Sequence, residues 1–321
     1  MATTQKTIKK SVKKSVKDST YVLKDTYQEV TDAVIKALEE GTVIWNCSWN
    51  KIGFPKNITT DKNYRGWNIF WLNFHTMIKG YQTPFYITYK QAAELGGTIK
   101  KGQKGVKITY WATIELKSQP TIITKDFKTG EDKETYPTKL VPKDYTVFNI
   151  DQAEGIDFPK VEAMFRNEAE RIEACEKVIA EMPLRPTIEY RGDQAYYHPA
   201  LDTVVVPKLE AFQNNESYYS VLFHELAHST GHKSRLNRKE FSENKFGDED
   251  YSKEELTAEL TAAFLSATTG IEQKTLPNSA AYIKGWLKAL KNDKTLLLKA
   301  AAQAQKAADY ILSASQDEVI A

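Results

Sequence analysis

At 321 residues, with 41% hydrophobic and 27% charged residues, the chain has room for two soluble globular domains, and no apolar run approaches the ~20 residues of a bilayer span. Two cysteines, Cys47 and Cys175, exclude a disulfide scaffold and fit a reduced, cytoplasmic setting; the N-terminal lysines lack the apolar run of a secretory signal. A formal net charge of +2 conceals an asymmetry, because residues 1–150 carry 24 Lys and Arg against 14 Asp and Glu and the remainder 20 against 28, so a basic unit suited to a polyanion precedes an acidic one.

Residues 1–20 are lysine-rich, nearly free of large apolar groups, and read as a flexible tail. From Tyr27 to Glu40, Val30, Ala33, Val34 and Leu38 recur at helical spacing and Gly41 stops the pattern. Tyr64–His75 predicts a helix with an aromatic face, and Tyr89–Leu95 a short one ended by Gly96-Gly97. Gly105–Ile114 alternates like a strand behind a basic turn, Lys100-Lys101-Gly102-Gln103-Lys104. The polar stretch Lys117–Lys143 reads as a long hairpin excursion or a mobile loop, and Tyr145–Ile150 as a further strand. Asp151–Lys160, with Gly155 and Pro159, is the candidate linker. Beyond it come a helix over Val161–Glu181, strands over Thr187–Tyr190 and Thr203–Val206, helices over Ser217–Thr230 and Ser252–Thr269, and helical segments to about Leu312. The fold class is α+β in two domains, residues 21–152 and 160–321.

Three of the five histidines, His224, His228 and His232, fall within nine residues. Composition makes a chance His-Glu-x-x-His match about a one-in-a-hundred event per chain. On a helix, residues four apart lie about 40° apart around the axis and ~6 Å along it, so His224 and His228 can face one ion. Glu225, turned by about 100°, reaches a water on that ion and can take its proton. Ser217 is a plausible N-cap and Gly231 a stop. His232 would lie ~12 Å from His224 along a continued helix, so it reads as a group supporting the site or facing substrate. Catalytic zinc needs a third protein ligand. In zincins that use a glutamate, a second helix supplies it, and an acid four residues on orients a histidine; Glu255 as ligand and Glu259 behind it fit that spacing. The alternative makes Ser252-Lys253-Glu254-Glu255 a capping box, with Glu255 a cap and Glu259 the ligand. Glu254 reads as solvated. One zinc per chain is expected, although imidazole and carboxylate accept other divalent ions. Asp202–Val206 could be an edge strand that pairs with an extended peptide. Tyr218, Tyr219, Tyr251 and Arg235 could steady an oxyanion, with no ground in the sequence for choosing among them.

Single-stranded nucleic acid needs cations for its backbone and aromatic faces for its bases, and the basic half interleaves both. Phe70, Trp71 and Phe74 read as core. Tyr64, Arg65 and Trp67, with Lys100, Lys101, Lys104 and Lys107, are the candidate DNA-binding residues.

The runs YRGWNIFWL and YQTPFYITYKQAAELGGTIKKGQKGVKITYW resemble the N-terminal domain of ArdC-type antirestriction proteins, a domain that also occurs in plasmid TraC-like primases. VFNIDQAEGID resembles that domain's closing segment, and FHELAHSTGHKSRLNR with EELTAELTAAFL resembles the family's zincin-like C-terminal domain. The resemblance implies single-stranded DNA binding in the first domain and a zinc metallopeptidase-like second domain. It also implies carriage by a plasmid or phage and protection of incoming DNA from host restriction, with an unknown protein substrate, such as a host restriction component. The other reading is a DNA-binding protector whose metal only stabilises the fold. Glu225 weighs against it, since a purely structural site has no use for that residue.

Overall fold

The structure is a computed structural model that describes residues 26–41, 53–125, 132–158, 167–238, 249–271 and 279–313. The N-terminal tail, the segment with Cys47, Trp45 and Trp49, and the start of the expected helix at Val161 lie outside those residues.

Val30, Val34 and Leu38 are the buried side of helix α1 (Thr26–Glu39), as their spacing predicts. After the short strand β1 (Lys56–Asn57), helix α2 runs over Trp67–Lys79, not from Tyr64. Gly66, at φ 52°, breaks the helix there, so Tyr64 and Arg65 stay in the lead-in. Strand β2 (Phe85–Thr88) passes into α3 (Tyr89–Glu94) through a capping box between Thr88 and Gln91. Next come β3 (Thr98–Ile99) and β4 (Val106–Glu115).

The polar excursion is a hairpin, with β5 (Ile122–Lys125) paired antiparallel to β6 (Asp132–Thr135). Strand β7 spans Thr138–Asn149, seven residues earlier than the predicted start at Tyr145. Its first half looks like loop because of Pro142 and the lysines. The sheet order β1-β2-β7-β4 explains the tolerance: β2 reaches only Val147–Asn149, so Pro142 faces no neighbour on that side. A β-carbon on Gly105 would sit 2.8 Å from the Val147 carbonyl oxygen, so β4 can enter the sheet only with glycine there. The chain leaves this domain through β8 (Ala153–Glu154), which pairs with β3.

In the second half, α4 (Glu168–Glu181) precedes a sheet of β9 (Thr187–Tyr190), β10 (Tyr196–His198) and β11 (Thr203–Val206). The order is β10-β11-β9, with β10 antiparallel and β9 parallel to β11. Strand β11 is therefore central and buried along its length, and the expected edge at Asp202–Val206 is corrected: β10 and β9 are the edges. Helices α5 (Asn215–Ser229), α6 (Glu249–Thr269), α7 (Ser279–Asn292) and α8 (Leu296–Ile311) complete the fold. Helix α6 is buried on every side from Glu254 to Ala267 because it lies between α5 and α8. The alanines of α8, among them Ala300, Ala301 and Ala304, allow close approach to it.

One hydrophobic cluster holds the α1 residues Val30, Val34 and Leu38, the α2 residues Trp67, Phe70 and Phe74, and the interior of the second half of the chain. Across this junction the Arg65 guanidinium pairs with Asp309 at 2.6 Å, and the Gly66 amide donates to Gln305 at 2.8 Å. Among the described residues no helix is long and apolar enough to cross a membrane.

Candidate metal centre

Helix α5 begins at Asn215, with the Asn214 side chain accepting from the Ser217 amide at 2.8 Å; Asn214, not Ser217, is the N-cap. Leu222, Phe223 and Leu226 are at most 1% exposed and anchor the helix, leaving His224 and His228 turned toward α6. Helix α6 starts at Glu249, so Ser252 is already inside it and Glu255 is no cap; the capping-box alternative is corrected.

The two Nε2 atoms of His224 and His228 lie 3.0 Å apart, with the rings edge to face. Glu255 puts one carboxylate oxygen 3.5 Å from each of them. His224, His228 and Glu255 can thus each offer an atom within 4.8 Å of the others, and they are the metal-capable group among the described residues. Zinc–nitrogen bonds of about 2.1 Å at a tetrahedral angle would separate two nitrogens by about 3.4 Å, so the spacing suits a small divalent ion. Glu259 faces the other side of His224, 3.7 Å from Nδ1. That nitrogen is buried without a hydrogen-bond partner, and Glu259 is the carboxylate placed to receive its proton when Nε2 is engaged.

Glu254, which reads as solvated in the sequence, is buried: its Oε1 lies 3.2 Å from His228 Nδ1. Arg238, also buried, grips the same carboxylate through Nε (3.0 Å to Oε2) and Nη2 (2.5 Å to Oε1). Arg238 further donates to the Ala227 carbonyl at 3.0 Å and the Thr230 hydroxyl at 2.5 Å. The only sequence hint of this arrangement is the basic run that follows the histidine motif.

Without a cation the cluster must hold protons to balance its charge. Glu225, Glu254, Glu255 and Glu259 are buried around two imidazoles and one guanidinium. Burial pulls the His224 pKa down, but Glu255, Glu259 and Glu225 outweigh it and raise it to about 10. Burial raises Glu259 to about 7, and it raises Glu225 above the usual carboxylate range despite both histidines. Such a cluster of acids is the counterpart of a bound divalent ion, and the residues fit one.

Glu225 also receives a backbone hydrogen bond from Tyr197 on the edge strand β10, which brings that strand to the centre. The Arg235 side chain is buried, bonding Asp202, the Tyr197 hydroxyl (3.1 Å) and the carbonyls of Ser229 and Leu184. It ties the turn after α5 to the β10–β11 connection. Of the remaining oxyanion candidates, the Tyr219 hydroxyl donates to Glu176 at 2.6 Å, Tyr218 packs against Phe212, and the side chain of Tyr251 lies outside the described residues. His232 bonds Ser234 at 2.7 Å and stands outside the metal-capable group.

The DNA candidates divide. Lys100, Lys101, Lys104 and Lys107 are exposed on and beside the turn before β4, where Gly102 takes φ 84°. Arg65 is held by Asp309, and the buried hydroxyl of Tyr64 sits among core groups that raise its pKa to about 12. Trp67, expected at the DNA surface, is only 7% exposed and packs on Phe70; this expectation is corrected, because the face of α2 that carries it is covered by the second half of the chain.

A family model described as a zincin-like metallopeptidase matches residues 173–303, and one described as the N-terminal domain of anti-restriction factor ArdC matches residues 24–148. An uncharacterized protein, y4eC, of Sinorhizobium fredii is 34% identical over 91% of this chain and 93% of its own length. The DNA primase TraC of Escherichia coli is 33% identical over 93% of this chain, which spans only 28% of that protein. Two crystal structures of the antirestriction ArdC protein from the R388 plasmid are similar throughout. The metal-free form has TM-score 0.68 at 35% identity and the Mn(II)-bound form 0.70 at 34%, each over 92% of this chain and 97% and 98% of theirs.

Proposed function

The chain belongs to the ArdC antirestriction family, and from that premise we propose that it binds single-stranded DNA through its first domain and acts as a zinc-dependent peptidase through its second, in the cytoplasm, protecting incoming DNA of a mobile element from restriction. The observation that carries the peptidase reading is the meeting of His224, His228 and Glu255 on two helices with the buried Glu225 next to His224 in the chain.

His224, His228 and Glu255 would hold the ion, with Glu254 fixing His228 and Glu259 standing behind His224. Zinc, when bound, polarises a carbonyl and acidifies water. Glu225 would take the proton of the attacking water and return it to the leaving amine. The antiparallel edge strand β10 is the natural rail for an extended peptide, since its outer backbone has no strand partner among the described residues and its Tyr197 touches Glu225. Support for the DNA reading comes from the ArdC-type domain and its exposed lysines.

Metal content and oligo(dT) binding, measured together on wild type, Glu225→Gln and a His224→Ala/His228→Ala pair, test both halves. The expected result is about one zinc per chain in wild type and Glu225→Gln, none in the histidine pair, and DNA binding throughout. Glu225→Gln should also lose protection of transferred DNA; full protection by that variant would leave the metal a structural role only.

A further inference from the structure

The single-stranded DNA reading needs aromatic faces that bases can reach, and the structure removes several of those in the sequence. Trp67, Phe70, Phe74 and Tyr86 are 0–7% exposed. The β4–β7 ribbon supplies others. Toward its N-terminal end, before Val147, β7 has left β2 behind and pairs with β4 alone, so the ribbon continues from Lys107↔Thr146 to Glu115↔Thr138.

Its two faces differ in charge. Directly opposed residues share a face, and alternate residues return to it. One face therefore carries the even-numbered β4 residues from Val106 to Ile114 and the odd-numbered β7 residues from Lys139 to Val147. At its base Val106, Ile108 and Val147 are buried under α2 with Leu72. Farther out the face opens: Tyr110 is 49% and Tyr145 44% exposed, their rings 6.5 Å apart and edge to face. Lys143 lies opposite Tyr110, and Lys139 opposite Ile114. None of these residues is an acid; Asp144 and Glu115 belong to the other face, where Asp144 accepts from the Thr109 hydroxyl at 2.9 Å.

Exposed aromatic rings at the edge of a core, flanked by lysines and clear of carboxylates, match what a single strand requires: π-faces for bases and cations for phosphates. Two lysines and no acid on this face make a polyanion the occupant that its charge fits. We infer that single-stranded DNA lies along this face, with bases stacked on Tyr110 and Tyr145 and phosphates on Lys139 and Lys143. The inference rests on the DNA reading above and names the surface that would carry it, with the exposed lysines Lys100, Lys101 and Lys104 of the turn before β4 at the ribbon's other end.

The test is fluorescence anisotropy of labelled oligo(dT) with full-length protein at several salt concentrations. Tyr110→Ala/Tyr145→Ala should bind at least about 30-fold more weakly, at about 1–3 kcal/mol for each base no longer stacked, and Tyr110→Phe/Tyr145→Phe close to wild type, since phenyl rings still stack. Lys139→Gln/Lys143→Gln should make the dependence of log affinity on log salt shallower by about 1.4, at about 0.7 for each single-strand phosphate no longer neutralised. A wild-type melting temperature in the alanine pair excludes misfolding. If wild type binds, and the alanine and glutamine pairs bind as it does, the surface is wrong while the DNA reading stands. If wild type binds no oligo(dT), or binds duplex equally well, the single-strand reading itself fails and takes the surface with it.

Discussion

Replacing Glu254 by glutamine tests whether the buried carboxylate–guanidinium pair is what fixes the second histidine. The amide keeps the volume and one acceptor oxygen. It removes the charge that holds two Arg238 nitrogens at 2.5 and 3.0 Å and faces His228 Nδ1 at 3.2 Å. Both partners are 7% exposed, so Arg238 would be left a buried cation held by the Thr230 hydroxyl and the Ala227 carbonyl. Breaking one side of a buried pair costs about 3–5 kcal/mol. At roughly 2–4 °C per kcal/mol for chains of this order of size, the metal-free protein should melt some 6–20 °C lower. Loss of the group that orients a ligand histidine should separately weaken zinc about 10–100-fold. Melting curves after chelation and zinc competition against a chromogenic chelator read the two effects independently. A Glu254→Leu/Arg238→Met pair sharpens the contrast, since it should recover stability but not zinc affinity. Glu254→Gln with an unchanged melting temperature and unchanged zinc affinity would refute the reasoning.

The pH response of the metal-free protein follows from the same cluster. The folded state holds the His224 proton to about pH 10 against an ordinary value of 6.5, so this stability is whole below 6.5 and is lost as pH climbs toward 10, while zinc affinity rises over that window because zinc displaces the proton. Melts and chelator competition at about pH 6, 8 and 9.5 should show the opposing trends; metal-free stability that rises with pH would contradict the assignment. Trp67→Ala should cost about 3–5 kcal/mol of stability in urea unfolding, with little loss of oligo(dT) affinity in the folded protein. Unchanged stability with weakened DNA binding would return Trp67 to the DNA surface.

Features that depend on neighbours in the chain are legible in the sequence. The histidine pair, Glu225, Glu255 and Glu259 depend only on helical spacing within two segments, and the strands Thr187–Tyr190 and Thr203–Val206 stand where their apolar runs predict. Glu254 is illegible because its partners belong to α5 and to the turn carrying Arg238, and no periodicity on α6 separates a solvated acid from one aimed at a histidine. Strand β11 passes for an edge because an apolar run does not say how many neighbours it has. Trp67 and Tyr110 trade places for a related reason. Trp67 invites a nucleic-acid reading until the other half of the chain covers it, while Tyr110 and Tyr145, on different strands, meet only through the register of a ribbon whose second strand starts in apparent loop.

The basic half and the acidic half, so distinct in charge, are not separable bodies. Because Val30, Val34, Phe70 and Phe74 lie in the same interior as Leu256, Phe264 and Ala304, a gene cut within residues 152–160 would divide the coding sequence at its thinnest point and yet split a single oily seam. Each fragment would leave the ribosome with raw apolar surface where its other half belongs, and would aggregate or need that half supplied in trans. Recombination between mobile elements that shuffles one half alone would therefore have to bring a matching seam with it.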